Sequence, residues 1–196
     1  MLKTSKEYRV QAATALKGNY GTAIGLLLVY VLLIVAIYSI SFGVGTLILG
    51  GAFQVGMCVA FVGLFRNGSM NFSDLFAGFR GKINFGSTIG LSFFSGLFIM
   101  LWSCLLAIPG IIAAFSYSMA PYILADHPQM KGIEAIRASK ELMKGKKGRL
   151  FCLKLSYIGW ILLSILTYGI LLLWVEPKMS AATAAFYEDI KHEVRA

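Results

Sequence analysis

The sequence predicts an all-α fold: a multi-pass helical membrane bundle of about six transmembrane helices, built as three pseudo-repeated hairpins with cytoplasmic amphipathic segments. Three observations predict it. The 196 residues are 58% hydrophobic and only 14% charged, whereas a soluble domain is roughly half apolar and about 25% charged. No charged residue occurs between Lys17 and Arg66, between Lys82 and Asp126, or between Lys154 and Glu176. The basic residues all fall in the remaining stretches, 1–17, 66–82, 126–154 and 176–196, and cytoplasmic segments carry the Lys/Arg excess. The composition excludes a disordered chain and argues against a water-soluble globule. The formal charge of +9 would suggest nucleic acid in a soluble protein. The apolar runs turn that reading toward the lipid bilayer, and no nucleic acid is expected as a partner.

Taken in order, residues 1–17 form a basic segment, and no cleavable signal peptide is expected because the apolar run that follows is too long. One crossing of the hydrocarbon core takes about 20 residues, so the runs 18–65 and 83–125 are each long enough for two helices. Within a bilayer the backbone must satisfy itself, which selects helices. Breaks are expected at Ser41-Phe42-Gly43-Val44-Gly45, at Pro109-Gly110 and at Thr167-Tyr168-Gly169, because Gly and Pro punctuate helices. The third run, 155–175, holds one span, and a return helix from Ile170 through Pro177 makes a third hairpin. One long span ending near Val175 is the alternative. Six spans place both termini in the cytoplasm of a cell-membrane protein and leave three uncharged turns outside.

A repeat supports this organisation. Gly18, Gly81 and Gly145 recur at nearly equal intervals, each after a basic residue. Gly21-Thr22-Ala23-Ile24-Gly25-Leu26 is echoed by Gly86-Ser87-Thr88-Ile89-Gly90-Leu91. The chain is read as a single membrane domain, 1–196, with pseudo-repeats at about 1–65, 66–125 and 126–196. Small residues at Gly21/Gly25, Ala52/Gly56/Ala60 and Gly86/Gly90 are expected to pack helices within the bundle.

The C-terminal half carries a resemblance. Pro109-Gly110-Ile111-Ile112, Tyr117-Ser118-Met119-Ala120-Pro121-Tyr122, Ser139-Lys140-Glu141-Leu142-Met143-Lys144-Gly145 and Trp174-Val175-Glu176-Pro177 resemble the bacterial integral membrane family catalogued as Domain of Unknown Function 975. This chain has Lys178 where that family usually has an aromatic. The resemblance implies a multi-pass bacterial membrane protein and implies no reaction.

Among polar residues, Glu176, Lys178 and Gln54 are the candidate intramembrane site. An ionisable group in a membrane helix costs about 2.5–3.5 kcal/mol on insertion scales and marks a functional position by default. Lys178 falls on nearly the opposite helix face from Glu176, and Lys154 is expected too far away to meet it. Lys144, Lys146, Lys147 and Arg149 are candidate contacts for anionic lipid head groups, since each juxtamembrane charge contributes about 1 kcal/mol. Ile133 to Lys144 reads as an amphipathic helix. Pro109, Gly110 and Pro177 are expected at structural turns. Asp126-His127-Pro128 reads as helix-end chemistry, with Asp126 a cap and Pro128 opening the next helix. Cys58, Cys104 and Cys152 read as small buried hydrophobes. No catalytic set, metal site or cofactor is expected. The functional reading is a non-enzymatic membrane module that interacts with lipid, with other membrane proteins or with a second copy of itself. The alternative is a small transporter or channel using polar groups on helices two, four and six.

Overall fold

The computed structural model describes residues 4–41, 44–79, 85–105, 107–167, 169 and 171–195, apart from the side chains at 44, 47–48, 102–105, 107–108, 166 and 192–195. Among these residues the protein is all helical. In chain order come α1 (Ser5–Ala15), α2 (Tyr20–Ser41), α3 (Val44–Asn67), a 3-10 helix (Phe72–Phe76), α4 (Phe85–Leu105) and α5 (Ala107–Tyr117). Then follow α6 (Ala120–Asp126), α7 (Gly132–Leu142), α8 (Lys147–Leu155), α9 (Ile158–Leu166) and α10 (Leu172–Arg195). Among the expected landmarks, Phe42, Gly43, Gly81, Tyr168, Ile170 and the Cys104 side chain lie outside the described residues.

Two described helices are long and apolar enough to cross a membrane, α2 and the Leu49–Asn67 stretch of α3. The pair α8 and α9, bent by 40°, makes a third if taken as one span. α2 is apolar all round, with Leu32, Val35 and Ile40 exposed. A helix with no polar face is one that lies in a core or in lipid.

The breaks differ from the expected ones for identifiable reasons. Pro109 and Gly110 do not make the turn; they lie in the first turns of α5. A proline there loses no hydrogen bond, because the first N–H groups of a helix have no partner anyway. The second break in this run, between α5 and α6, follows from Pro121 near the start of α6. Without an N–H it leaves the Tyr117 carbonyl unclaimed. Pro177 is no turn either, since it lies inside α10. Its cost is the lost partner of the Leu173 carbonyl, and the packing of the helix carries that. Pro128 precedes α7 by a turn, and the helix opens at Gly132. In α7, Ala135, Ile136, Ser139 and nearby Met143 are buried, while Ile133 is exposed, so the apolar face is narrower than the pattern suggested. Cys58 is buried as expected, but Cys152 is exposed on α8.

The segments before the hairpins share a local design. The backbone N–H of Thr4 donates to Glu7 Oε2 at 2.6 Å, that of Asn71 to Asp74 Oδ2 at 3.3 Å and that of Lys131 to Glu134 Oε2 at 3.2 Å. Each short helix thus opens on a carboxylate that satisfies an orphan donor and complements the helix dipole. The exits of α1 and α7 match as well. Leu16 N–H donates to Ala12, Lys17 to Thr14 and Asn19 to Leu16; Met143 donates to Ser139, Lys144 to Glu141 and Lys146 to Met143. Both exits pass through a glycine at positive φ, 88° at Gly18 and 72° at Gly145.

Small residues bring backbones together inside the bundle. Gly56 of α3 faces the backbone of Leu75, Gly25 of α2 faces the Phe72 ring, and Gly132 of α7 lies on the backbone of α4 between Ser87 and Leu91. α10 is the central strut. It touches α1, α2, α3, α7, α8 and α9, and its stretch from Ala181 to Tyr187 is buried throughout. Tyr8 of α1 meets Phe186 edge-on at 5.5 Å.

Asp126 is not a cap but the hub of a clasp between α3, α6 and α10. Arg66 Nη1 lies 2.8 Å from its Oδ1 and Arg66 Nη2 donates to its Oδ2 at 3.0 Å. Arg66 Nε also donates to Glu188 Oε1 at 2.9 Å, Tyr187 donates its hydroxyl to Asp126 at 2.8 Å, and the Lys191 ammonium pairs with the same carboxylate. Burial raises the Asp126 carboxyl, but the bonds from Arg66, Lys191 and Tyr187 outweigh it and hold the group down at about 2.

The third hairpin turns where expected, between α9 and α10, but it does not run the depth of the bundle. Trp174 lies 5.5 Å from Tyr20, ring centre to ring centre. Tyr20 is the first residue of α2. The turn at Gly169 is five residues before Trp174, about 7 Å of helix rise. A full crossing needs about 30 Å. The start of α10 therefore sits near the end at which α2 begins, and the described helices supply two or three of the six expected spans. Nine residues of α9 are too few to reach the far end.

Candidate functional site

Polar side chains from α3, α4, α8 and α10 converge on one cavity of about 410 Å³. Gln54 enters from α3, Ser95 from α4, Lys154 from α8 and Glu176, Ser180 and Thr183 from α10. The depth is similar on every helix. Leu27 and Tyr30 of α2, Gln54 to Phe61 of α3, Leu91 to Ile99 of α4 and Tyr122 of α6 line it. Each stretch lies roughly 5–20 Å of helix rise from its polar end. The cavity thus reaches from near those polar ends to the middle of the apolar helices.

Local structure explains how the charges arrive there. Glu176 stands in the second turn of α10, and Ser180, one turn on, donates to its Oε1 at 3.4 Å. Lys154 is the last but one residue of α8, just before the bend. At the bend Ser156 donates its hydroxyl to the Leu153 carbonyl at 2.7 Å. The chain turns away after Lys154 instead of carrying it along a straight span. Lys154 thus lines the same cavity as Glu176, though among the described residues no ion pair joins the two. The missed signal was the pair Ser156-Tyr157, which ends α8 inside an otherwise apolar stretch.

The three expected site residues are divided. Gln54 and Glu176 meet in the cavity, and Lys178 does not. Two residues along a helix point to nearly opposite faces, and Lys178 lies over the Tyr20 ring, 5.7 Å from its centre. It lines a second cavity of about 390 Å³, together with Lys6, Arg9, Tyr157, Trp160 and Trp174. Since Tyr20 opens α2, Lys178 belongs to the polar end of that helix and not to its apolar middle.

The basic cluster stands apart from both cavities. Lys144 and Arg149 are exposed, and Lys146 and Lys147 are half-buried, around the turn from α7 into α8. Lys144 pairs with Glu141 at 2.7 Å, so one of its charges is already compensated on an open surface where such a pair is weak. His127 follows the Asp126 clasp and is exposed. Among the described residues no three His, Cys, Asp or Glu side chains gather as a metal site requires.

No curated protein and no solved structure matches the chain. Over residues 104–194, from the end of α4 through α10, the chain matches the family described as Protein of unknown function (DUF975), and the resemblance read from its C-terminal half is thereby shown.

Proposed function

We propose that the protein is a non-enzymatic, multi-pass helical membrane protein that binds a small polar solute inside its bundle and passes it across the membrane. The single observation that supports this is the meeting of Gln54, Lys154 and Glu176 in one cavity that reaches the middle of the apolar helices. Its size suits a small molecule, since ligand cavities run about 300–1,000 Å³. Transport sites commonly lie near the bilayer midplane, where irregular backbone is tolerated only against a cavity. A carboxylate and an ammonium facing one space suit a solute with charges of both signs.

In this reading α2, α3, α4 and the broken α5–α6 pair cross the membrane. α8, α9 and the start of α10 form a re-entrant hairpin that carries Lys154 and Glu176 in from one side. The two termini then share that side, the cytoplasm, because the basic segments lie there. Reconstituted protein should carry amino acids or similar zwitterions across vesicles. Glu176→Gln and Lys154→Gln should each abolish flux while expression and thermal unfolding in detergent stay near wild type. Normal flux in Glu176→Gln removes that residue from the mechanism. For topology, Thr167→Cys should be labelled from the side of the termini; labelling from the opposite side alone restores a full sixth crossing and ends the re-entrant reading.

A second reading, a module that associates with anionic lipid, is favoured by the cationic and aromatic groove around Lys178.

A further inference from the structure

We infer that the groove between α1, α9 and α10 binds the phosphate head group of an anionic phospholipid. Lys6 and Arg9, one turn apart on α1, and Lys178 of α10 line a space of about 390 Å³. Among the described residues no acidic side chain lines it. Three cations around a cavity with no internal counter-charge leave a site that an anion completes, and a phosphate accepts from several donors at once.

The remaining walls are aromatic. Tyr157, Trp160 and Trp174 line the groove, and the two tryptophans are 48% and 54% exposed. The Arg9 guanidinium lies 5.2 Å over the Tyr157 ring, which fixes one cation in place without neutralising it. Tyrosine and tryptophan collect at the head-group level of a bilayer. The position agrees: Lys178 and Trp174 both meet Tyr20, where the apolar helix α2 begins. The Tyr20 hydroxyl behind this wall is buried and finds no hydrogen-bond partner among the described residues.

The surroundings favour a lipid over a free phosphate. Trp160 and, one turn on, Leu163 are exposed on the face of α9 that meets the groove, and Ile158, Leu162 and Ile165 leave the rest of that helix exposed and apolar. A head group held by the three cations leaves its acyl chains against this apolar helix. The inference rests on the membrane reading, though not on the solute cavity, which lies on the other face of α10.

The test uses the full chain carrying Trp102→Phe, so that tryptophan fluorescence reports Trp160 and Trp174. The protein is placed in phosphatidylcholine nanodiscs to which brominated phosphatidylglycerol or brominated phosphatidylcholine is added. Quenching should be stronger with the brominated phosphatidylglycerol. Lys6→Gln, Arg9→Gln and Lys178→Gln should each reduce that preference about fivefold, the equivalent of about 1 kcal/mol per charge near the surface. Equal quenching by the two lipids overturns the inference, as does a preference that survives the triple variant. Loss of the preference on neutralising Lys144, Lys146, Lys147 and Arg149 instead would place the site elsewhere. Glycerol phosphate or inorganic phosphate that removes the preference at concentrations matching the lipid's would mean a soluble anion is the ligand. Arg9→Lys, which keeps the charge, should retain most of the effect and separates charge from packing. If the protein stays in solution without detergent or nanodisc, the membrane reading itself has failed, an outcome distinct from insertion without lipid preference.

Discussion

Gly56 of α3 lies directly against the backbone of Leu75, so closely that a β-carbon there would collide with the Leu75 carbonyl group. The contact ties the 3-10 helix to the middle of α3. A backbone neighbour cannot swing aside as a side chain would. Gly56→Ala should therefore destabilise the protein by about 1–3 kcal/mol, the range for overpacking a core. Gly21→Ala, where nothing lies within 4 Å, should not. Thermal unfolding in detergent compares the two, and equal stability of both variants would refute the close packing.

The Asp126 clasp predicts a pH dependence. Its carboxyl is held at about 2, below the ordinary 3.8, because Arg66, Lys191 and Tyr187 outweigh the effect of burial. A group with a depressed folded-state pKa contributes stability above the ordinary value and loses it as pH falls toward the folded one. The contribution of Asp126 should be complete above pH 4 and fade between about 4 and 2. Asp126→Asn should cost roughly 2–4 kcal/mol at neutral pH, with its buried side chain but a half-exposed arginine partner, and should flatten the slope in that window. An unchanged slope would mean other carboxylates carry it.

Ser139 of α7 donates its hydroxyl to the Ser116 carbonyl at 2.7 Å, and both groups are buried. Ser116 holds one of the last carbonyls of α5, which the break before α6 leaves short of helical partners. Ser139→Ala should cost about 1–3 kcal/mol, the penalty for a buried acceptor left unpaired. Loss of less than half a kcal/mol, read from denaturant unfolding, would show that the carbonyl finds another donor.

Two neighbouring glycines should respond with opposite signs. Gly145 has φ at 72°, a conformation that a side chain makes unfavourable, so Gly145→Ala should cost about 1 kcal/mol. Gly148 lies in α8 with open space around it, and Gly148→Ala should gain about 0.5–1 kcal/mol through helix propensity. Matched shifts of melting temperature in the same direction would contradict this account of the turn.

The helical fold was legible because charge-free runs broken by Gly and Pro admit few other structures. The glutamine and glutamate of the cavity were legible as polar exceptions in apolar surroundings. What the sequence hid was long-range. Arg66, Asp126 and Lys191 are far apart along the chain, and no spacing rule announces that one carboxylate gathers both cations. Lys154 was missed because a straight span was assumed where Ser156 and Tyr157 bend the chain. Pro109 and Pro177 misled in the same way, since proline is tolerated in a helix wherever the lost bond is cheap or the packing strong.

The central place of α10 has a consequence for how the protein is made. Every helix it packs against precedes it in the chain. As the chain leaves the ribosome, α2 to α6 enter their surroundings with Arg66 and Asp126 already present but with Lys191, Tyr187 and Glu188 still untranslated. N-terminal parts of a chain generally settle first during synthesis. Until α10 emerges, α1 has no Phe186 to pack on and the cavity has no Glu176. Assembly of this protein is thus governed by order of arrival, and a pause in translation before Leu172 would hold it open.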